Sequence, residues 1–357
     1  MSLKRVLIRL VVIVLLESGL FMQVKADAIQ LTVKSYDLPP LPEKIAGQCV
    51  GTVGDLLVVA GGSSWNKPPW AGGLKSWSDR VYALSPGSQQ WKLIGHLPMP
   101  MGYGSAVQVG KELLCIGGQD AQRVYSTALR FKLQAGEFIV QRLPDLPRPT
   151  TNAGAALAGA KAYVVGGQNG LNPINVSGQI WSLDLAVDSA SRSWKEEAAP
   201  PWQHVRILPI VAGCGNELFV ASGADLTKDE KGTPHRIYLK DAWILTPKSE
   251  WKRLADSPAP VTGAPSICDN KGSVLVFGGD DGKLSDQVVT LKDDHPGFSH
   301  EMRAMDLRKN RWSSISGLPL SLATTGVTQW NDRYVIAGGE PQPGHRSDRV
   351  IALSIGK

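Results

Sequence analysis

An apolar run that ends in a pair of small residues recurs six times along the chain. The second residue of each pair is a glycine, and successive pairs lie 56, 49, 56, 56 and 60 residues apart, at Gly62, Gly118, Gly167, Gly223, Gly279 and Gly339. Nearly continuous Val, Ile and Leu predict a strand buried on both faces. Glycines at its end indicate neighbouring backbones too close together for a Cβ. The pattern therefore predicts a repeated structural unit of about 50 residues.

Each repeat carries further matching segments. A second apolar segment after a variable loop predicts a third strand, and a proline-containing bend follows a fourth. A tryptophan opens this fourth, outer strand in four repeats, where a large aromatic ring fills the space that widens between neighbouring sheets, at Trp91, Trp194, Trp251 and Trp312. Six such units predict an all-β fold, a six-bladed Kelch-type β-propeller.

The sixth repeat stops at Ile355, after its third strand. An alternating stretch at 29–33, followed by the bend LPPLPE (38–43), can supply the missing outer strand. We therefore expect the ring to be closed by the N-terminal strand, since closure removes an open sheet edge. Residues 27–357 are predicted to form one propeller domain.

Residues 1–26 have a different composition from the rest of the chain. Basic residues precede the apolar run 10–16, and Val24-Lys25-Ala26 is a small-x-small site. The run is shorter than the roughly 20 residues that span a bilayer, so the segment is interpreted as a signal peptide. An uncleaved N-terminal anchor is the alternative. The expected location is periplasmic or secreted, with no membrane span once the signal is removed.

Composition excludes several classes of function. The net charge of +6 is scattered without a run of Lys and Arg, which disfavours nucleic acid as a partner. There is no CxxC pair, paired-histidine motif, phosphate-binding glycine loop or Gly-x-Ser-x-Gly, so neither a metal nor a cofactor is expected. Four cysteines lie in or beside predicted strands, and export would allow disulfides, whose pairing stays open: Cys49, Cys115, Cys214 and Cys268. The oligomeric state also stays open.

The loop after the sixth glycine pair carries the strongest candidate chemistry. Glu340 directly follows Gly339, and Arg346 lies six residues on, across a segment stiffened by Pro341 and Pro343. Loops of this type gather at the mouth of the central channel. A carboxylate beside a guanidinium there can accept a proton and anchor an anion. The alternative is a structural ion pair that holds the loop together.

The first-blade loop, residues 63–77, is the second candidate. It contains three tryptophans, of which Trp70 is central, together with Asn66 and Lys75. Flat aromatic faces beside polar donors are typical of a carbohydrate-binding wall. A tryptophan-packed cover over the propeller is the alternative interpretation.

The sixth-blade loop, GGEPQPGHRSD (338–348), resembles that of the bacterial N-acetylneuraminate epimerases, or sialic acid mutarotases, which are periplasmic six-bladed Kelch proteins. Their motif Gly-Glu-x-x-Pro-Gly-x-Arg-Ser/Thr-Asp is matched at each position. Gly73-Leu74-Lys75 in the first blade is similar to a second loop of that family. The glutamate blade is the last one here, whereas in the better known members it is near the middle of the chain. The chain therefore resembles a cyclically permuted branch of the family.

The resemblance implies interconversion of the α and β anomers of sialic acid, a small-molecule sugar. Glu340 would then be the catalytic proton acceptor and donor. Arg346 would hold the carboxylate of the substrate, and Trp70, Lys75 and Asn66 would complete the binding site. Two other functions fit the same residues: a non-catalytic propeller that binds a glycan or a protein, and a mutarotase for another sugar.

Overall fold

The computed structural model describes residues 32–228, 232, 234–315 and 317–356, and these residues build six four-stranded antiparallel sheets. The sheets form the predicted six-bladed β-propeller. The predicted signal peptide, 1–26, and residues 29–31 of the predicted closing strand lie outside the described residues. Within the described part of the chain, every helix is too short or too polar to cross a membrane.

The first strand, β1 (Thr32–Leu38), belongs to the last blade. Blade 1 contains β2 (Cys49–Val53), β3 (Leu56–Ala60), β6 (Arg80–Leu84) and β7 (Lys92–His96), with the inserted hairpin β4 (Ser63–Trp65) and β5 (Lys75–Trp77). Blade 2 contains β8 (Ser105–Val109), β9 (Glu112–Ile116), β10 (Ala128–Gln134) and β11 (Glu137–Leu143). Blade 3 contains β12 (Gly154–Ala158), β13 (Lys161–Val165), β14 (Ile180–Asp184) and β15 (Trp194–Glu197).

Blade 4 contains β16 (Ile210–Cys214), β17 (Glu217–Ala221), β20 (Ala242–Leu245) and β21 (Trp251–Leu254), with the hairpin β18 (Ala224–Lys228) and β19 (Pro234–Tyr238). Blade 5 contains β22 (Ser266–Cys268), β23 (Ser273–Phe277), β24 (Met302–Asp306) and β25 (Arg311–Ile315). Blade 6 contains β26 (Val327–Trp330), β27 (Arg333–Ala337) and β28 (Val350–Gly356). The single short α-helix of the described residues, α1 (Val288–Leu291), and the 3-10 turns lie in loops: Pro69–Ala71, Ser189–Ser191, Ser285–Gln287 and Lys292–Asp294.

The N-terminal strand closes the ring, as the truncated sixth repeat predicted. Strand β1 pairs antiparallel with β28 over its whole length, from Thr32 opposite Gly356 to Leu38 opposite Val350. The strand continues five residues beyond the predicted end at Val33. Those residues alternate poorly in hydrophobicity because most of β1 is exposed on the outside of the propeller.

A closed circle of backbone hydrogen bonds surrounds the central axis. One residue from each blade has a φ between 48 and 72°, and its N–H donates to the carbonyl of the equivalent residue in the preceding blade at 2.6 to 3.1 Å. We call these residues the axial ring; they are Gly47, Tyr103, Asn152, Leu208, Gly263 and Thr324. The circle closes where Gly47 N–H donates to Thr324. This arrangement brings six side-chain positions together at one end of the channel.

The glycine pairs join each blade to the next one. The N–H of the second glycine donates to a carbonyl just before the axial-ring residue of the following blade, at 2.7 to 3.0 Å in all six places. At Gly117, which has a φ of 67°, an added Cβ would collide with the carbonyl oxygen of Thr150. The close backbone approach that the sequence predicted is therefore present.

The hydrophobic core is divided into six layers, one between each pair of neighbouring blades. This division explains why the second strand of each repeat is apolar on both faces. The outer tryptophans join the blades at larger radius. Each indole N–H donates at 2.7 to 2.9 Å to a carbonyl in the bend that ends the preceding blade, from Trp91 to Pro39, Trp194 to Pro144, Trp251 to Ala198 and Trp312 to Ala255.

All four cysteines form disulfides. Cys49 pairs with Cys115 and joins blades 1 and 2, with a Cα–Cα distance of 6.1 Å. Cys214 pairs with Cys268 and joins blades 4 and 5, with a Cα–Cα distance of 5.4 Å. The question that the sequence left open is thus answered by two cross-links between neighbouring blades.

Candidate functional site

Glu340 lies where the sequence placed it, directly after the sixth glycine pair, and its carboxylate is held by three donors. Oε1 forms an ion pair with Nη1 of Arg346 at 2.6 Å and accepts a hydrogen bond from the N–H of Gly344 at 3.1 Å. Oε2 accepts from the hydroxyl of Thr324 at 3.2 Å. The side chain is 16% exposed, so the carboxylate is largely withdrawn from water. Because Thr324 belongs to the axial ring, Glu340 is anchored at the mouth of the channel.

Arg346 joins the sixth blade to the second. Its side chain is 5% exposed, and Nη1 also donates to the carbonyl of His345 at 3.2 Å. On the other side of the guanidinium, Nη2 donates to the hydroxyl oxygen of Tyr103 at 2.9 Å. Burial opposes the charge, but Glu340 and Tyr103 outweigh it and raise the pKa of Arg346 above its ordinary value. The guanidinium therefore stays charged.

Tyr103 is a member of this site that the sequence analysis missed. Its hydroxyl oxygen lies 3.0 Å from Nζ of Lys75 and 3.2 Å from Oγ of Ser63, in addition to its contact with Arg346. Tyr103 follows the proline bend of the first repeat by three residues. Alignment of the six axial-ring positions would have marked it, because a bulky aromatic residue stands there where two other repeats have glycine.

Lys75 sits in a cage of aromatic rings. Its Nζ lies 4.6 Å from the centroid of Trp77, 4.4 Å from that of Tyr103 and 5.7 Å from that of Trp65. Cation–π attraction holds the ammonium group in this position. Among the described residues, no carboxylate pairs with Lys75 within 4.0 Å, whereas Arg346 is paired with Glu340. The cluster of Lys75, Arg346 and Glu340 thus carries one uncompensated positive charge.

The two remaining predicted residues take different positions. Trp70 packs against the ring of His345, with centroids 5.7 Å apart, and so contacts the loop that carries Glu340. Asn66 lies at the turn of the β4–β5 hairpin, where its Oδ1 accepts from the N–H of Leu74 at 2.8 Å. Asn66 is exposed and makes no hydrogen bond to the charged cluster within the described part of the chain. The structure therefore brings four of the five predicted residues to one place.

A third loop, from blade 5, completes the surroundings. In this loop, the carboxylate of Asp293 lies 2.9 Å from Nε2 of His345. The carbonyl of Asp293 accepts a hydrogen bond from Nε2 of Gln342 at 3.4 Å. The N–H of Phe298 donates to the carbonyl of Pro341 at 3.1 Å. His345 is thus held between the first-blade and fifth-blade loops. The described residues contain no cluster of three or more His, Cys, Asp or Glu side chains suited to a metal ion.

The cluster contacts two residues that line the axial cavity. Tyr103 and Thr324 both line this cavity, which runs between the innermost strands of all six blades. Each of them also contacts one member of the Arg346–Glu340 pair. A carboxylate, two cations and a phenol thus lie together beside this cavity. Such a site suits proton transfer on an anionic, polar ligand.

Fold and site together define a six-bladed β-propeller with a buried ion pair in the loop after its sixth glycine pair. No family model matches the chain. An N-acetylneuraminate epimerase of Salmonella arizonae is 30% identical over 125 residues, which cover 30% of this chain and 32% of that protein. An N-acetylneuraminate epimerase of Brucella suis is 37% identical over 102 residues, which cover 24% and 26%. The match thus spans about a third or less of the length of these curated relatives.

A solved structure, that of YjhT, superposes with a TM-score of 0.64 and covers 90% of this chain and 99% of its own. At 16% sequence identity this likeness shows a shared fold. The curated relatives support the resemblance to N-acetylneuraminate epimerases that the sixth-blade loop indicated.

Proposed function

We propose that the protein is an isomerase that interconverts the α and β anomers of N-acetylneuraminate by acid–base opening of the sugar ring. The observation that carries the proposal is the contact between Glu340 and Arg346 at the channel mouth, in the loop that matches the epimerase motif. The names of the curated relatives support the same activity.

The chemistry requires two proton transfers. Glu340 accepts the proton of the anomeric hydroxyl, and the electrons of that O–H bond form a carbonyl while the bond from the anomeric carbon to the ring oxygen breaks. The ring oxygen takes up a proton. Closure on the opposite face of the carbonyl reverses both transfers and gives the other anomer. No oxidant or reductant is consumed.

The substrate carries a carboxylate on its anomeric carbon, which the two cations can hold. Nζ of Lys75 and Nη2 of Arg346 lie within 3.0 Å of the same phenol oxygen, close enough for one carboxylate to bridge them. Lys75 can donate more hydrogen bonds to this carboxylate than Arg346 can, because two of its three N–H groups have no partner among the described residues. Arg346 contributes one Nη2 hydrogen and keeps Glu340 in position.

The first-blade loop would form one wall of the binding site. Trp70 holds the sixth-blade loop in place through His345, and part of its indole faces solvent. The amide Nδ2 of Asn66 is a donor for a sugar hydroxyl.

We also propose a periplasmic or secreted location after removal of the signal peptide 1–26. The two disulfides favour this location, because disulfides persist in oxidising compartments.

Anomer exchange measured by NMR with a panel of sugars tests the proposal. The wild-type protein should accelerate exchange of N-acetylneuraminate and leave neutral aldoses such as glucose at their spontaneous rates. Acceleration of a neutral sugar alone would indicate a mutarotase with another substrate. Binding of N-acetylneuraminate without any acceleration would identify a non-catalytic glycan-binding propeller.

A further inference from the structure

The proposed reaction needs a second proton carrier, and one side chain of the site is built for that role. Glu340 contacts protein donors through both oxygens, and in the proposed reaction it takes the proton of the anomeric hydroxyl. We propose that the hydroxyl of Tyr103 is the group that gives a proton to the ring oxygen and takes it back on closure. This inference rests on the proposed function and adds a second catalytic residue to it.

The hydrogen-bond inventory of the phenol leaves its proton available. A neutral phenol has one O–H donor and two lone pairs. Lys75 and Arg346 can only donate, so they occupy both lone pairs of the Tyr103 oxygen. The phenol hydrogen must therefore point to the remaining neighbour, the Oγ of Ser63 at 3.2 Å, or to a ligand in the cavity. The hydroxyl of Ser63 can donate its own hydrogen to the carbonyl of Ala46, which lies 3.5 Å away.

The two cations favour transfer of that proton. When the phenol releases its proton, negative charge develops on the oxygen. Nζ of Lys75 and Nη2 of Arg346 already point at this oxygen from 3.0 and 2.9 Å, so the charge is stabilised without rearrangement of the protein. Both cations are fixed by other contacts, Lys75 by its aromatic cage and Arg346 by Glu340.

The backbone conformation at position 103 does not favour a tyrosine. All six axial-ring residues have a positive φ, which favours glycine, and glycine stands there in blades 1 and 5. Tyr103 adopts the same conformation with a φ of 57° and lines the axial cavity. A bulky side chain at a position that favours glycine, with its hydroxyl beside Lys75 and Arg346, indicates a function at this site.

The step balances in atoms and electrons. As the anomeric O–H gives its proton to Glu340, the bond between the anomeric carbon and the ring oxygen breaks and its electron pair goes to that oxygen. The oxygen takes the phenol proton from Tyr103 and becomes the hydroxyl of the open-chain ketone. On closure this hydroxyl attacks the carbonyl, its proton returns to Tyr103, and Glu340 protonates the new anomeric oxygen. Both side chains end in their starting states.

The variant Tyr103→Phe tests the role while keeping the aromatic ring that packs on Trp77 and Lys75. We expect kcat for N-acetylneuraminate exchange to fall by roughly 100-fold or more, with KM changed less than about threefold. Tyr125→Phe is the matched control, since it removes a phenol hydrogen bond, to Asp120, in the same blade and should retain wild-type exchange.

The outcomes separate this inference from the function on which it rests. If the wild type accelerates exchange and Tyr103→Phe retains its kcat, Tyr103 is not the second proton carrier and the proposed function stands. A rise in KM with kcat unchanged would assign Tyr103 to positioning of the cations and overturn the inference. A wild type that does not accelerate exchange overturns both proposals.

A measurement on the wild type alone covers the case in which the variant does not fold. In mixtures of H2O and D2O, a plot of the exchange rate against the deuterium fraction of the solvent should be curved, because two protons move in the rate-limiting step. A linear dependence would indicate one moving proton and would contradict transfer from Tyr103 in concert with Glu340.

Discussion

The carboxylate of Glu340 and the guanidinium of Arg346 are 2.6 Å apart in a loop where both side chains are largely buried. Removal of either partner from a buried ion pair leaves an uncompensated charge, which typically costs about 3–5 kcal/mol of stability. A loss of activity in an Arg346 variant would therefore mix substrate binding with displacement of Glu340. Variants of residues outside the pair therefore test substrate binding more cleanly than an Arg346 variant does.

Lys75→Met should weaken binding of the anionic substrate. The side chain keeps its length and its contacts with the aromatic cage, while its positive charge is lost. A hydrogen bond to a charged group contributes about 1.5–3 kcal/mol, so we expect KM for N-acetylneuraminate to rise roughly 10- to 100-fold with a smaller change in kcat. Steady-state exchange rates at several substrate concentrations measure both parameters.

Lys67→Met is the matched control, because Lys67 is an exposed lysine in the same loop. Its kinetic parameters should equal those of the wild type. Equal KM values for Lys75→Met and the wild type would show that Lys75 does not hold the carboxylate of the substrate.

The disulfides should contribute to stability without affecting the site. Each one joins neighbouring blades across a sequence separation of 66 or 54 residues. Removal of one bridge in Cys49→Ala/Cys115→Ala should lower the free energy of unfolding by about 2–4 kcal/mol, measured by urea denaturation. Exchange activity of the folded variant should be unchanged. An unfolding midpoint that is the same with and without reductant would contradict this expectation.

The fourth-blade hairpin should lose stability at high pH. The hydroxyl of Tyr238 donates to Asp280 at 2.8 Å, and burial first, then the charge of Asp280, raises the pKa of Tyr238 from 10.0 to about 12. A folded-state pKa above the unfolded value stabilises the protein fully below pH 10, and this contribution is lost as the pH rises through about 12. Stability between these values should fall more steeply in the wild type than in Tyr238→Phe. Parallel slopes in the two proteins would refute the assignment.

Most of the fold could be predicted from the sequence, because the propeller repeats one local pattern six times. The glycine pairs, the apolar second strands and the outer tryptophans each report a contact that every blade makes with its neighbour. Closure by the N-terminal strand followed from the absent fourth strand of the last repeat. The contact of Glu340 with Arg346 was also predictable, because six residues of proline-stiffened loop keep the two side chains close.

Contacts across the ring were beyond sequence reasoning. Tyr103 is 243 residues from Arg346 along the chain, and only ring closure brings the second and sixth blades to the same channel mouth. The cysteine pairs depend in the same way on the lateral packing of strands that belong to different repeats. Asn66 was chosen for its residue type, but at the hairpin turn its side-chain oxygen already accepts a backbone hydrogen bond.

The central claim is that one carboxylate at the channel mouth carries the proton in anomer exchange, and Glu340→Gln tests it most directly. The amide keeps the size of the side chain and an acceptor for Arg346, so the variant should still fold, with stability lowered by about 3–5 kcal/mol for the lost ion pair. NMR exchange spectroscopy of N-acetylneuraminate with this variant should give the spontaneous rate, while the wild type accelerates exchange under the same conditions. Exchange by the folded variant at the wild-type rate would contradict the account.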